Sequence, residues 1–396
     1  MDASLPGGRL GAAVAAALAT WLCTRPAHAV ACNTLPAPVY GVGGSAPTQL
    51  FAKLGKALSN ATPPQTIVYQ SPGACVGPQY LINGTKMTGT ANYWDTTGAQ
   101  QSCDLPLTGQ TPDFGAGGTF ATFCPNVPSP LPETFGDFLG PIEVFEFIVP
   151  KASSQTVISG PAAYFVYGFG AQSQAAPWTD ATEIFKRNGN SAAEILLSLA
   201  IKVPTAQFQG TDAMSNGNMV ALVAAAPTPE NAIGFASNET VAASLSSVSP
   251  LAYQDYGQSC GYWPSSTSST FDMQNVRNGH YPLWSSLHFY ATTNGAGAVT
   301  DPAAAQLIGY FTHIVTPPAG VDVDAIAAKA GEVLDCAMEV KRTSDYSALL
   351  PYAPAAPCGC FFEKNATGST SCTACASSTD CPASATHCRK GYCEVN

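Results

Sequence analysis

Apolar and polar positions along residues 30–352 follow two rhythms. Short runs of β-branched and aromatic residues predict strands, and longer runs with an apolar side chain every three or four positions predict helices. Val39-Tyr40 leads into a glycine turn, Gly41-Val42-Gly43-Gly44-Ser45, and Thr48 to Leu58 follows as an amphipathic helix. Thr66 to Tyr69 (TIVY) predicts a buried strand, and Gly73 to Ile82 the start of a second helix. Ile142 to Val149 (IEVFEFIV) is the clearest strand, and Glu183 to Lys186 a weaker one. Ser191 to Val203 predicts a helix with Ser191 at its N-cap. Asn216 to Ala226, Asp301 to Ile314 and Asp322 to Val340 also carry the helical period. Interleaved in this way, the elements predict an α/β fold. The pattern breaks after Tyr352. Ala353-Pro354-Ala355-Ala356-Pro357 predicts a linker, and residues 358–396 hold seven cysteines among few large apolar side chains. So small a unit builds no stable core alone and needs cross-links.

The first residues change the reading of the cysteines. Arg9 followed by the apolar run Leu10 to Cys23, with Ala27-His28-Ala29 behind it, predicts a signal peptide cleaved after Ala29 and an exported chain, periplasmic or extracellular. A rival reading takes Ala29-Val30-Ala31-Cys32 as a lipoprotein box with a lipid anchor on Cys32, against which the polar Thr24-Arg25-Pro26 stands. Of 14 cysteines, Cys23 leaves with the signal. The remaining number is odd, so either one thiol stays unpaired within the chain or Cys32 carries the lipid. In an oxidising compartment the tail cysteines are expected in disulfides rather than around zinc. Only 11% of the residues are charged and the net charge is −10. That balance excludes a general binder of nucleic acid or anionic membrane. It leaves room for a small anion held by local N–H donors.

The order of short motifs resembles the phosphate-binding component of bacterial ABC transporters. The pieces are Gly41 to Ser45, Tyr69-Gln70-Ser71-Pro72-Gly73-Ala74-Cys75, Asp113-Phe114-Gly115-Ala116-Gly117-Gly118, Trp178-Thr179-Asp180 with Arg187 and Ser191, Asn231-Ala232-Ile233-Gly234-Phe235, and His280-Tyr281-Pro282-Leu283. The resemblance implies an α/β, two-lobed type 2 periplasmic binding protein fold with two crossover strands, near Phe145 to Pro150 and Tyr281 to Tyr290. To this the chain adds a small disulfide-rich C-terminal module. Lobe I is expected over 30–148 and 280–352, lobe II over 149–279, and the linker and tail over 353–396. The resemblance also implies an oxyanion in the interlobe cleft, an ABC transporter permease as partner, and a monomer.

The physical reading of those turns agrees with an anion site. The first N–H groups of a helix lack internal partners and carry partial positive charge. Ser45, Gly44, Ala74, Cys75, Gly117, Gly118, Arg187 and Ser191 are the expected ligand residues, with Arg187 adding a charge-assisted contact. The chain departs from the family at several of them. Gly118 stands where an aspartate accepts the ligand's proton, Gly189 where another acid is usual, and Ala74 and Ala193 where hydroxyls are usual. These losses leave mostly donors. Phosphate is the family default, and the alternative is a cell-envelope scaffold with a degenerate cleft and a working cysteine-rich tail. No zinc-protease, nucleophile-elbow, P-loop or dinucleotide motif occurs, so neither an enzyme nor a cofactor is expected.

Overall fold

Phe135 to Pro150 form one strand of sixteen residues, and the molecule is organised around it. In chain order, the first part of the protein comprises β1 (Val30–Ala31), β2 (Pro38–Gly43), α1 (Thr48–Ser59), β3 (Thr66–Gln70) and α2 (Val76–Asn83). Then come β4 (Thr90–Trp94), β5 (Gln100–Asp104), β6 (Phe114–Gly117) and the long strand β7 (Phe135–Pro150). The computed structural model describes residues 30–395, so the expected signal peptide, residues 1–29, lies outside the described residues. Helix α1 forms where Leu50, Phe51, Leu54 and Leu58 stack on one face, and that face is buried. Strand β2 runs parallel to β3 and β6, and α1 and α2 are the crossovers that follow β2 and β3.

The middle of the chain carries β8 (Val157–Ser159), α3 (Gly160–Phe169), β9 (Phe185–Lys186), α4 (Ala192–Ile201), β10 (Thr211–Asp212) and α5 (Asn216–Ala224). It continues with β11 (Gly234–Ser237), α6 (Asn238–Ala242), β12 (Val248–Pro250), β13 (Ala252–Gln254) and α7 (Gln274–Arg277). The return segment is β14 (Trp284–Thr292), α8 (Pro302–Phe311) and α9 (Val323–Ala330).

Strand β7 belongs to two neighbourhoods. Its first residues, Phe135 to Val144, pair antiparallel with β14. Its last, Phe145 to Pro150, pair with β11 and β12. At the junction the Phe145 N–H donates to Leu283 O (2.9 Å) and the Tyr281 hydroxyl donates to Phe145 O (2.7 Å). The two chain crossings are thus hydrogen-bonded to each other. One apolar core, with Phe51, Phe114, Phe289, Phe147 and Tyr167, runs under both neighbourhoods. A smaller one gathers Ile148, Met219, Val223, Val241 and Val248 behind the second.

The structure departs from the sequence pattern at several boundaries. The helical period of Asp322 to Val340 ends at Ala330, because Gly331 takes a left-handed φ of 100° and Val333 pairs with Ile142 instead. The second helix starts at Val76, three residues later than expected, because Gly73 has φ 154°. Strand Ile142 to Val149 extends seven residues further towards the N-terminus.

Cysteine pairing corrects one expectation. Cys32 is fully buried and bonded to Cys103, which excludes a lipid on its sulfur. The exposed Cys260 accounts for the odd number. Cys75–Cys124 lies in the body and Cys336–Cys358 fastens the tail to it. Within the tail the pairs are Cys360–Cys372, Cys375–Cys388 and Cys381–Cys393. The tail contributes β15 (Val340–Lys341), β16 (Leu350–Pro351), α10 (Gly359–Thr367), β17 (His387–Arg389) and β18 (Tyr392–Glu394), counting the hairpin that leads into it. It does not stand apart from the body. Phe361 and Phe362 of α10 enter the main core, α10 packs on α9, and Lys390 Nζ reaches Asp324 (2.6 Å).

Candidate anion pocket between the chain crossings

Three turns and two helix starts meet where β7 changes neighbours. Gly44, Ser45, Ala46, Ala74, Gly118, Phe145, Arg187, Ser191, Ala192, Ala193 and Asn216 line one pocket. Its cavity volume is about 10 Å³, about one water. The turns are held from behind. The Gly44 N–H donates to Ala116 O (2.8 Å), and the Tyr69 hydroxyl donates to Gly44 O (2.8 Å). Asp345, from the hairpin after α9, accepts from the Thr119 hydroxyl (2.6 Å) and the Phe120 N–H (2.8 Å), which fixes the chain after Gly118. A Cβ on Gly117 would approach that of Ala74 to 2.8 Å, so glycine is needed for the two turns to touch.

Arg187 is the charge of the pocket. It is only 6% exposed, and among the described residues no carboxylate stands within ion-pair distance of its guanidinium. One nitrogen donates to Met214 O (2.8 Å), another to Asn216 Oδ1 (3.3 Å), and Nε has no partner. Burial lowers its basicity, while Asp212 and Glu194 nearby act the other way. A buried cation without a counter-ion is costly unless something anionic meets it.

The helix starts supply further donors. Ser191 sits at the N-cap of α4, yet its side chain accepts no capping bond. The Ile195 N–H is the one that reaches Ser191 O (3.0 Å), which leaves the N–H groups of the helix's first turn without intrahelical partners. Ala192 and Ala193 in that turn line the pocket. Ser45 Oγ accepts from the Asn216 N–H (3.4 Å) at the start of α5, leaving its own proton to donate. The arrangement can therefore hold a small oxyanion by a guanidinium, two hydroxyls and backbone N–H groups, without a metal or cofactor.

Of the eight residues expected from the sequence, six line this pocket: Gly44, Ser45, Ala74, Gly118, Arg187 and Ser191. Two do not. The Cys75 sulfur is bonded to Cys124, and its N–H donates to Asn190 O (3.0 Å), so it has nothing left for a ligand. Gly117 is a spacer packed on Ala74. Sequence reading missed Ala46, Phe145, Asn216 and Ala192 as walls, although Ala192 follows directly from a helix starting at Ser191; Ala193, read as a lost hydroxyl position, does line the pocket. It also missed Glu143. This side chain is wholly buried, both of its oxygens lack partners, and Oε2 fills the space in front of Gly118. Its signal was an acid, one of two with Glu146, inside the apolar run Ile142 to Val149.

Other cavities carry different chemistry. One, of about 560 Å³, opens beside Asp137, Asp324, Asp335 and His313, with three carboxylates in its lining.

No protein-family description matches the chain, and no curated protein matches it. Solved structures do. A Clostridium perfringens protein assigned as a phosphate ABC transporter substrate-binding protein, with bound phosphate, superposes with a TM-score of 0.51 at 13% identity, covering 75% of this chain and 99% of that one. An ABC-type phosphate transport receptor from Vibrio cholerae gives 0.47 at 13% identity, covering 75% and 100%. The first likeness establishes the fold, a two-lobed α/β arrangement of the type 2 periplasmic binding protein kind, to which this chain adds its cysteine-rich module. Among the described residues no helix is long and apolar enough to cross a membrane.

Proposed function

We propose that the protein is an exported solute-binding protein that captures a small tetrahedral oxyanion, phosphate by default, between its two lobes. The observation that carries this reading is the buried Arg187, without a carboxylate partner, beside the uncapped start of α4. A buried guanidinium and oriented N–H groups attract an anion strongly, because burial weakens screening by water. The lobes are taken as 30–148 with 280–352, and 149–279, and they close over the ion by bending at the two crossings. A monomeric protein outside the cytoplasm, delivering the ion to an ABC transporter permease, fits the fold.

Titration calorimetry with phosphate, sulfate and molybdate tests the reading. Heat of binding with at least one of them, lost in Arg187→Ala, is the expected result. No binding of any of the three by the wild-type protein overturns it.

A further inference from the structure

We propose that a second cavity, between β14 and the hairpin of β15 and β16, binds a small organic monocarboxylate: Arg342 and Trp284 hold its carboxyl group, and an apolar wall takes its carbon body. The cavity shares no lining residue with the anion pocket, so the inference does not depend on the oxyanion reading.

The sheet and the hairpin build the cavity together. Its volume is about 260 Å³, well above the roughly 30 Å³ share of one water. Ser286 and Ile142, directly paired across β14 and β7, both line it, and Trp284 stands two residues back on the same side of β14. Arg342, the residue after β15, completes the wall. Its guanidinium carbon lies 4.3 Å from the centre of the Trp284 ring and 5.1 Å from that of Tyr346. The loop that carries it is pinned at two neighbouring residues. Asp345 ties it to Thr119 and Phe120, and the Tyr346 hydroxyl donates to Asp255 (2.8 Å). The guanidinium is thus held in place before any ligand arrives, which lowers the cost of binding.

This wall offers donors without acceptors. Nη1 of Arg342 donates to Trp284 O (2.7 Å), while its Nε is buried without a partner. Trp284 is 3% exposed, and its Nε1, which can only donate, has no partner either. Among the described residues no carboxylate stands within ion-pair distance of Arg342. Burial lowers its basicity to about 10, so it keeps its charge at neutral pH. Two carboxylates line the same cavity, and each is already bonded. Asp345 is spent on Thr119 and Phe120, and Asp335 accepts from the Tyr352 hydroxyl (2.6 Å). Buried donors are paired in nearly every native structure, so two orphans beside a guanidinium without a counter-ion point to an acceptor from outside. A carboxylate is the acceptor that a guanidinium plane fits best, through parallel N–H···O bonds. Phe120, Leu139, Met338 and Val340 add apolar surface that an inorganic oxyanion would leave unfilled. The cavity of about 560 Å³ adjoins this one at Leu139, Ser286 and Asp335, and it brings Asp137 and Asp324. A second negative charge at the far end of the ligand would meet those carboxylates, which selects a monocarboxylate over a dicarboxylate.

Titration calorimetry of the full chain with phenylacetate tests the site. Phenylacetate is expected to bind with a Kd of about 1 mM or lower. Its neutral amide and the para diacid of the same ring should bind about ten-fold more weakly or worse, the loss of one hydrogen bond between charged partners. Arg342→Gln should weaken phenylacetate by about ten-fold or more, and Trp284→Phe, which keeps a ring and loses the N–H, by about three-fold or more. An excess of phosphate should leave phenylacetate binding unchanged. No saturable binding of phenylacetate by the wild type overturns the proposal. Equal affinity for the acid and its amide overturns it even if neither variant folds. Binding that survives Arg342→Gln overturns it, and so does displacement by phosphate, which would put the carboxylate in the anion pocket. The oxyanion reading is judged separately, by whether phosphate, sulfate or molybdate binds at all.

Discussion

Two neighbouring regions, the pocket and the buried acids behind it, are built on opposite terms. On the side of α4 and α5, a buried guanidinium stands among hydroxyls and helix starts, and among the described residues no carboxylate is in ion-pair range. Behind it, along β7, Glu143, Glu239, Glu332 and Glu146 are buried, and among the described residues no cation stands in ion-pair range of them. Either side alone is a destabilising way to spend polar residues. The two do not neutralise each other by direct contact. What the difference teaches is that the donor side is arranged for a charge it does not own, whereas the acid side lowers its own charge by holding protons. Burial raises Glu146 to about 8 and Glu239 to about 7.

The strongest way to break the comparison is to remove the cation. Arg187→Ala is expected to weaken phosphate binding by about 100-fold or more, since each hydrogen bond to a charged group is worth about 1.5–3 kcal/mol. Its melting temperature without ligand should drop by no more than about 2 °C, because an unpaired buried charge leaves with the side chain. Calorimetry and a thermal melt check both halves. A large loss of stability would mean that Arg187 is structural.

The tail tests whether the acid side depends on its backing. Glu332 follows α9, and α10 is fastened against α9 by the Cys336–Cys358 bond, which spans 22 residues. Replacing both cysteines by serine removes about 3 kcal/mol by loop entropy. The melting temperature should fall by about 5–10 °C, while phosphate affinity stays within about three-fold. If affinity collapses as well, the tail is part of the binding machinery.

Stability against pH sharpens the acid side alone. Carboxyls raised by burial bind more protons in the folded than in the unfolded chain, so stability falls as pH rises. Their contribution is complete below the ordinary value near 4.5 and is lost as pH passes through about 7 and about 8, where Glu239 and Glu146 titrate. Differential scanning calorimetry should show the melting temperature falling by about 5 °C between about pH 5 and about pH 8, and less in Glu146→Gln. A flat profile would contradict the buried arrangement.

The smallest expected change concerns one hydroxyl on the donor side. Ser191→Ala should weaken phosphate binding by about 3- to 10-fold, the worth of one ordinary hydrogen bond, and leave stability unchanged. The stability half of this expectation follows from a missing cap bond. A destabilised variant would show that the serine caps α4 after all.

The sequence by itself determined the parts that depend on neighbours along the chain. Alternating periods determined an α/β chain, because burial of a strand or a helix face follows from spacing alone. Arg187 and Ser191 were legible because a basic residue, a turn and an N-cap lie within one short segment. The Gly44-Ser45 turn was legible for the same reason. Only the tertiary structure decided which distant segments meet. Cys75 appeared as a ligand residue until its sulfur and its N–H were seen to be engaged elsewhere. Gly118 read as a lost acid, yet the space in front of it is filled by Glu143 from another strand. A missing side chain is visible in sequence, but the side chain that takes its room is set by sheet register, which pairs residues more than a hundred positions apart.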